Sequence, residues 1–474
     1  MHKKFRTNRI AIKSGGALSF YLTCFIIALA VSNNEVEQGL LLLIQLFLLG
    51  LLLVKRDWVV VLVMSMPFQN TGIQLHGFGT LRPWHIVMIV GALIELARNL
   101  KYGARSSATK SAFRPILVTV FLFFVVSVST LITSDDAVAG IAELAKLAFV
   151  SIMFFLLFFS NLQNQRQFLS NIVLGAEYSL SILFFSTVLT IWKNFDRVVF
   201  FLHSQTFNSG SYELTYYSNL INPLVSGGFN LLAAWLVVCQ FLIVFYYFNG
   251  STGLREDTYR PKLASIIIGF LFIFLVPSRT NWLALSVAGI YILFKSRSRH
   301  RILRFRFAAL FVFLVILLFA SPIKSVITGR IHSAASALDT GVRSRLTFWK
   351  NTIKKIESRP VVGYGYGYAT AFARHVARGK YSATNLHNVP LQMAANGGLV
   401  LLASYLSIWI VLLLETYRLP NQLRYWAQSL LALIFIQTLF QGQFTETYTW
   451  LGIVIVATLP YFPLTRDVFW LPKK

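Results

Sequence analysis

Apolar runs, each near the ~20 residues that an α-helix needs to cross a bilayer, recur along almost the whole chain. A water-soluble core cannot absorb that much apolar surface. Hydrophobic residues make up 56% of the sequence and charged residues 13%, against the ~25% charged share of an ordinary soluble domain. Mean hydropathy is +0.64. Backbone polar groups inside lipid must be satisfied by the spanning structure itself, which leaves helices or closed barrels. The period-two alternation of barrel strands is absent. The expected fold class is therefore an all-α polytopic integral membrane protein.

Fourteen candidate spans cover 16–32, 39–54, 58–68, 83–97, 115–132, 141–160, 168–192, 227–248, 263–277, 281–295, 307–322, 389–414, 426–441 and 448–463. The third is short enough to be re-entrant, so the expectation is 12–14 transmembrane helices in a single membrane domain, 1–474. The basic stretch Met1–Lys13 precedes the first run without a small-residue cleavage site, which reads as an uncleaved first span. Cys24 and Cys239 both sit in apolar runs and read as small core residues, with no disulfide or zinc pattern.

Forty-three Lys and Arg against 17 Asp and Glu give a net charge of +26. Such a balance can serve nucleic-acid binding, but here the charges lie in short blocks between apolar runs. That is the pattern of cytoplasmic loops under the positive-inside rule, and no nucleic-acid partner is expected. Lys55 and Arg56, the block from Arg98 to Arg114, the block from Lys295 to Arg306, and Arg418 with Arg424 fall on one side if the N-terminus is cytoplasmic. Asn33–Gln38, Thr133–Gly140 and Gln441–Thr447, on the other side, lack Lys and Arg. Both termini are then cytoplasmic.

One opposite-side segment breaks the pattern. The loop 321–388, inserted between two spans, holds eleven basic and two acidic residues, net +9. Contact with anionic headgroups of membrane lipids is one reading; a site for a polyanionic substrate is the other. Within it Val342–Ser358 reads as an amphipathic interfacial helix, with Leu346, Trp349, Ile353 and Ile356 on one face and Arg345, Lys350, Lys354 and Lys355 on others. It should stop before Pro360, which disfavours helix at Arg359. Gly363, Gly365 and Gly367 follow at alternate positions, a turn whose backbone can approach a ligand closely. No dinucleotide fingerprint is present, because no strand precedes it and the spacing is wrong.

Three further features carry candidate chemistry. Pro277-Ser278-Arg279-Thr280 puts an arginine at the end of a span, where a charge is costly and so a functional candidate. Arg343-Ser344-Arg345 opens the amphipathic helix, and a guanidinium fork suits phosphate oxygens. Asn385-Leu386-His387-Asn388 directly precedes a span, and an imidazole there can take a proton from a hydroxyl near neutral pH. Glu143, Lys146 and Glu177 lie within spans; the first two can form an i,i+3 ion pair, and none is given a role.

The order of these features resembles the O-antigen ligase/polymerase superfamily of bacterial membrane glycosyltransferases. The matching residues are Ser278-Arg279, Arg345 with Trp349, Arg359-Pro360-Val361-Val362-Gly363-Tyr364-Gly365, and His387-Asn388-Val389-Pro390-Leu391-Gln392 through Gly397-Gly398, a motif region of 278–400. The sequence departs from many members in carrying Asn396 before Gly397 and a proline at 390. The resemblance implies a periplasmic-face enzyme of the bacterial inner membrane in surface polysaccharide biosynthesis. It would move a glycan from undecaprenyl (polyprenyl) pyrophosphate to an acceptor hydroxyl, on lipid A-core for a lipopolysaccharide ligase or on another repeat unit for an O-antigen or exopolysaccharide polymerase. No metal, nucleotide sugar or other cofactor is implied. By the same resemblance Arg279 and Arg345, with Arg343, would hold the pyrophosphate, His387 would be catalytic at the acceptor hydroxyl, and Gly363, Gly365 and Asn388 would form the substrate-binding loop. The chemistry agrees with the residue types, since preorganised arginines stabilise a departing pyrophosphate. Ligase-like is the leading expectation. A polysaccharide transporter or flippase, which would use midplane charges and repeated halves, and a non-catalytic assembly anchor are the competing readings.

Overall fold

The structure, a computed structural model, describes Cys24, Gly50 and residues 57–68, 73–75, 79–102, 114–134, 137–163, 165–193, 228–249, 261, 263–276, 278–295, 340–369, 372, 386–440 and 444–461. Of the expected spans, 16–32 and 39–54 (apart from Cys24 and Gly50) and 307–322 lie outside the described residues.

The other expected spans all coincide with helices. These are α1 (Trp58–Ser65), α2 (Pro83–Tyr102), α3 (Pro115–Ser129, continued by a 3-10 turn Thr130–Thr133), α4 (Ala137–Gln163), α5 (Gln165–Lys193), α6 (Gly228–Asn249), α7 (Leu263–Leu275), α8 (Arg279–Lys295), then α10 (Val389–Thr416), α11 (Asn421–Phe440) and α12 (Thr447–Thr458). Between α8 and α10 lies α9 (Thr340–Ser358). By length and composition six of the described helices can cross a membrane: Pro115–Thr133, Ala137–Ser160, Gln167–Lys193, Asn230–Tyr247, Val389–Thr416 and Leu423–Phe440. Leu263–Ile273, Thr280–Ile292 and Thr447–Tyr461 are shorter apolar helices. The protein is an all-α polytopic membrane protein. One short antiparallel hairpin, β1 (Ile73–Leu75) paired with β2 (Gly79–Leu81), is an exception that the sequence reading did not anticipate. Three residues per strand carry too little periodicity to be read.

Local chemistry explains the ends. Asp57 caps α1 by accepting the Val59 N–H at 2.9 Å. Proline opens α2 and α3, where its missing N–H costs nothing. Every residue of α1 is buried, as expected of a helix that is apolar all round. It packs against α2 and α5, and Gly175 of α5 is what lets it come close: a Cβ there would meet the Val60 carbonyl at 2.7 Å. Elsewhere α8 lies along α11, and α10 along α3.

Several polar residues inside the bundle are paired. Trp58 Nε1 donates to Glu95 at 2.9 Å, and Arg98 meets the same carboxylate at 2.9 Å. Ser265 donates to Glu177 at 2.5 Å, which joins α7 to α5. Glu143 and Lys146 form the i,i+3 ion pair at 2.7 Å. Cys24 and Cys239 are buried and neither is in a disulfide.

The most consequential irregularity is a break in α10. Gly397 (φ −135, ψ 22) and Gly398 (φ 62, ψ −158) depart from helical geometry and split it into a short first half and a longer second half. A break inside an apolar helix frees backbone groups that must find partners. Here the glycine-rich turn supplies them. Tyr364 N and Gly365 N donate to the carbonyls of Ala395 and Asn396 at 3.0 and 2.7 Å, while Leu399 N donates to the Pro360 carbonyl at 2.7 Å. The Asn396 side chain accepts the Ala369 N–H at 2.9 Å.

Candidate functional site

The site is assembled at the end of the bundle where α8 begins and α11 finishes. Ser278 precedes α8, and its carbonyl accepts the Trp282 N–H at 3.1 Å. Its hydroxyl donates to Asn230 Oδ1 at 2.9 Å and accepts from Asn281 Nδ2 at 2.8 Å. Asn281 Nδ2 also reaches the Asn230 carbonyl at 3.1 Å, and Gln437 Nε2 donates to Asn281 Oδ1 at 2.8 Å. This network of half-buried Asn230 with buried Ser278, Asn281 and Gln437 fixes the first turn of α8, whose first residue is Arg279. The Arg279 side chain lies outside the described residues.

Gln437 is less than one turn from Phe440, the last residue of α11. The Phe440 carbonyl receives Arg345 Nη1 in a long contact of 3.5 Å. The start of α8 and the Arg345 guanidinium therefore meet the same terminal turn of α11. Arg343 belongs to the first turn of α9, two positions before Arg345, and its side chain is outside the described residues.

Helix α9 runs Thr340–Ser358, two residues longer at its start than the sequence suggests, and ends before Pro360 as expected. Its packed side differs from the expected one. Phe348 and Thr352 are buried and Ile356 is half-buried; Phe348 and Ile356 pack with Leu386, Ala395, Ala369 and Tyr368. Leu346 and Ile353 are exposed. The helix thus has two apolar sides, one docked on α10 through Phe348, Thr352 and Ile356 and one exposed at Leu346 and Ile353. Trp349 lies between them: its Nε1 donates to the Leu386 carbonyl at 2.8 Å and its ring faces Phe440 at 6.4 Å.

The next residue after Leu386 is His387, the one non-glycine residue with positive φ among the described residues, at 50°. Left-handed backbone at such a position costs ~1–2 kcal/mol and persists only where surroundings enforce it. Most of the imidazole is enclosed by protein. Burial, and then the Arg345 charge, push its pKa down to about 3, so the resting ring is neutral over the ordinary pH range. The Asn388 side chain caps α10 by accepting the Leu391 N–H at 2.9 Å. Pro390 sits in that first turn, where proline is tolerated.

The candidates thus fall into two groups. Arg345, His387 and the α8 terminus bearing Arg279 converge around the end of α11. Gly363 and Gly365 do not line that space. Both are buried with positive φ, 65° and 93°, and press on backbone: a Cβ at Gly363 would meet Gly398 N at 2.6 Å, and one at Gly365 would meet Ser134 Cα at 2.2 Å. Their close approach is to the α10 break and to the end of α3. Tyr366, between them and Gly367, is buried, and burial with the Glu143 charge holds its hydroxyl protonated. Asn388 places its side-chain oxygen on α10. Asn230, Asn281 and Gln437 were missed by the sequence reading, although uncharged amides inside apolar runs are a readable signal.

In comparisons with known proteins, residues 264–406 match the O-antigen ligase family. No curated protein matches the chain.

Proposed function

We propose, for a chain whose residues 264–406 match the O-antigen ligase family, that the ligase- or polymerase-type function of that family takes here its ligase-like form. A glycan on polyprenyl pyrophosphate is transferred to a hydroxyl of lipid A-core at the periplasmic face of the inner membrane. Both termini are then cytoplasmic, and the basic loop 321–388, inserted in a single membrane domain, meets the donor. The observation that carries the reading is the convergence on the end of α11 of the Arg345 guanidinium, of His387 within reach of its charge, and of the buried start of α8.

The acceptor oxygen attacks the anomeric carbon while His387 takes its proton. The bond from that carbon to the pyrophosphate oxygen breaks, and the polyprenyl pyrophosphate leaves as an anion. Arg279 and Arg345, with Arg343 two positions earlier on α9, hold that charge, which fixed cationic donors do best in a water-poor site. No step requires a metal or a nucleotide sugar. Val361, Val362, Leu346 and Ile353, all exposed, give the same end of the protein an apolar surface for membrane lipid and a lipid-linked donor.

A deletion strain tests the assignment. Bare lipid A-core with polymer retained on the carrier is the expected outcome. Single repeat units capped on lipid A-core would identify a polymerase instead, and an unchanged glycan ladder would sink both.

The electrostatics give a second test. A neutral imidazole is the active form, and its low pKa keeps it neutral, so the kcat/KM profile should show no acid limb from His387 between about pH 5 and pH 8. Arg345→Gln removes one of the two causes and raises that pKa, moving the limb toward higher pH. Burial remains, so the limb should stay below about 6.5. An unshifted profile in the variant would contradict the coupling.

A further inference from the structure

Resting on the functional reading above, we propose that Trp349 is the positioning residue that sets the backbone of His387 for proton transfer, through its indole bond to the Leu386 carbonyl. His387 stands between two anchors. On one side Leu386 is buried against Phe348 and Ala395, and its carbonyl is held by Trp349 Nε1 at 2.8 Å. On the other, Asn388 is fixed by α10, its side chain capping Leu391 N and its carbonyl accepting Gln392 N at 3.0 Å. The single residue between them carries φ 50°, a conformation that an L-residue adopts only under constraint.

An indole N–H donates and never accepts. The bond therefore fixes the direction of the Leu386 carbonyl, and with it the orientation of the peptide that leads into His387. Without that bond the peptide can rotate toward the commoner negative φ and carry the imidazole away from its place. Trp349 lies one turn beyond Arg345 on α9, so the helix that brings the charge to His387 also brings the clamp. Both residues meet Phe440 at the end of α11.

The test is Trp349→Phe, which keeps an aromatic ring against Phe440 and removes the donor. In the full-length protein kcat should fall about tenfold, the effect of one buried hydrogen bond, with KM for the lipid-linked donor unchanged. A second readout needs no substrate: diethyl pyrocarbonate modification, followed by mass spectrometry, should become faster at His387 and stay constant at His85, which is buried in α2. Unchanged kcat and unchanged His387 reactivity would overturn the proposal, as would an equal rise at both histidines, which would mean general loosening. If His387→Ala retains full transfer, the functional reading fails; the reactivity of His387 in Trp349→Phe then still decides whether the clamp exists.

Discussion

Replacing His387 by alanine is expected to lower glycan transfer by about 10²–10⁴-fold, the range for losing a positioned proton acceptor, with the amount of protein in the membrane unchanged. The residue is half-buried at the start of α10, and its truncation should leave the surrounding helices in place. Alanine would also relieve little of the backbone constraint, because Trp349 and the α10 cap act on the neighbouring residues. Transfer measured from purified lipid-linked donor, normalised to protein in the membrane, checks this. Activity within about twofold of the parent would remove His387 from the reaction, since a general base contributes far more than that.

Gly398→Ala is expected to have the largest effect on folding. The residue sits at φ 62°, and a Cβ there would lie 2.2 Å from the Val361 carbonyl oxygen and 2.6 Å from that of Pro360. Both neighbours are backbone, so no side chain can swing aside. The left-handed conformation alone costs ~1–2 kcal/mol for alanine, and the overlap adds to it. We expect little folded protein by fluorescence-detected size exclusion in detergent. Gly289→Ala is the matching control: nothing lies within 4 Å of its Cβ position, and replacing a glycine inside a helix stabilises by up to ~1 kcal/mol. Normal yield from Gly398→Ala would show that the break in α10 does not depend on glycine.

The spans were readable because lipid demands long apolar helices, and a requirement of that length leaves a mark on any sequence. Helix α9 was readable for the same reason, through its period. Its packed side was not, because Leu346 and Ile353 satisfy helical spacing as well as Phe348, Thr352 and Ile356 do, and only the shape of the α10 surface separates them. The arginines and His387 could be singled out by residue type and place. Nothing in the sequence showed that Asn281 and Gln437, far apart along the chain, meet at 2.8 Å to fix the start of α8. The glycines were legible as glycines; what they approach is another stretch of backbone, which spacing alone does not reveal.

The interlock between the turn and the broken helix has a consequence for anyone exchanging parts between related proteins. Residues 360–369 and 395–400 share their hydrogen bonds and leave each other no room for a Cβ at Gly363 or Gly398. A chimera that transplants the loop alone would pair a foreign turn with a native break and strand the carbonyls of Ala395 and Asn396. Substrate preference should therefore be transferable only in grafts that carry both stretches as one cassette, and drift in either is expected to be answered by drift in the other.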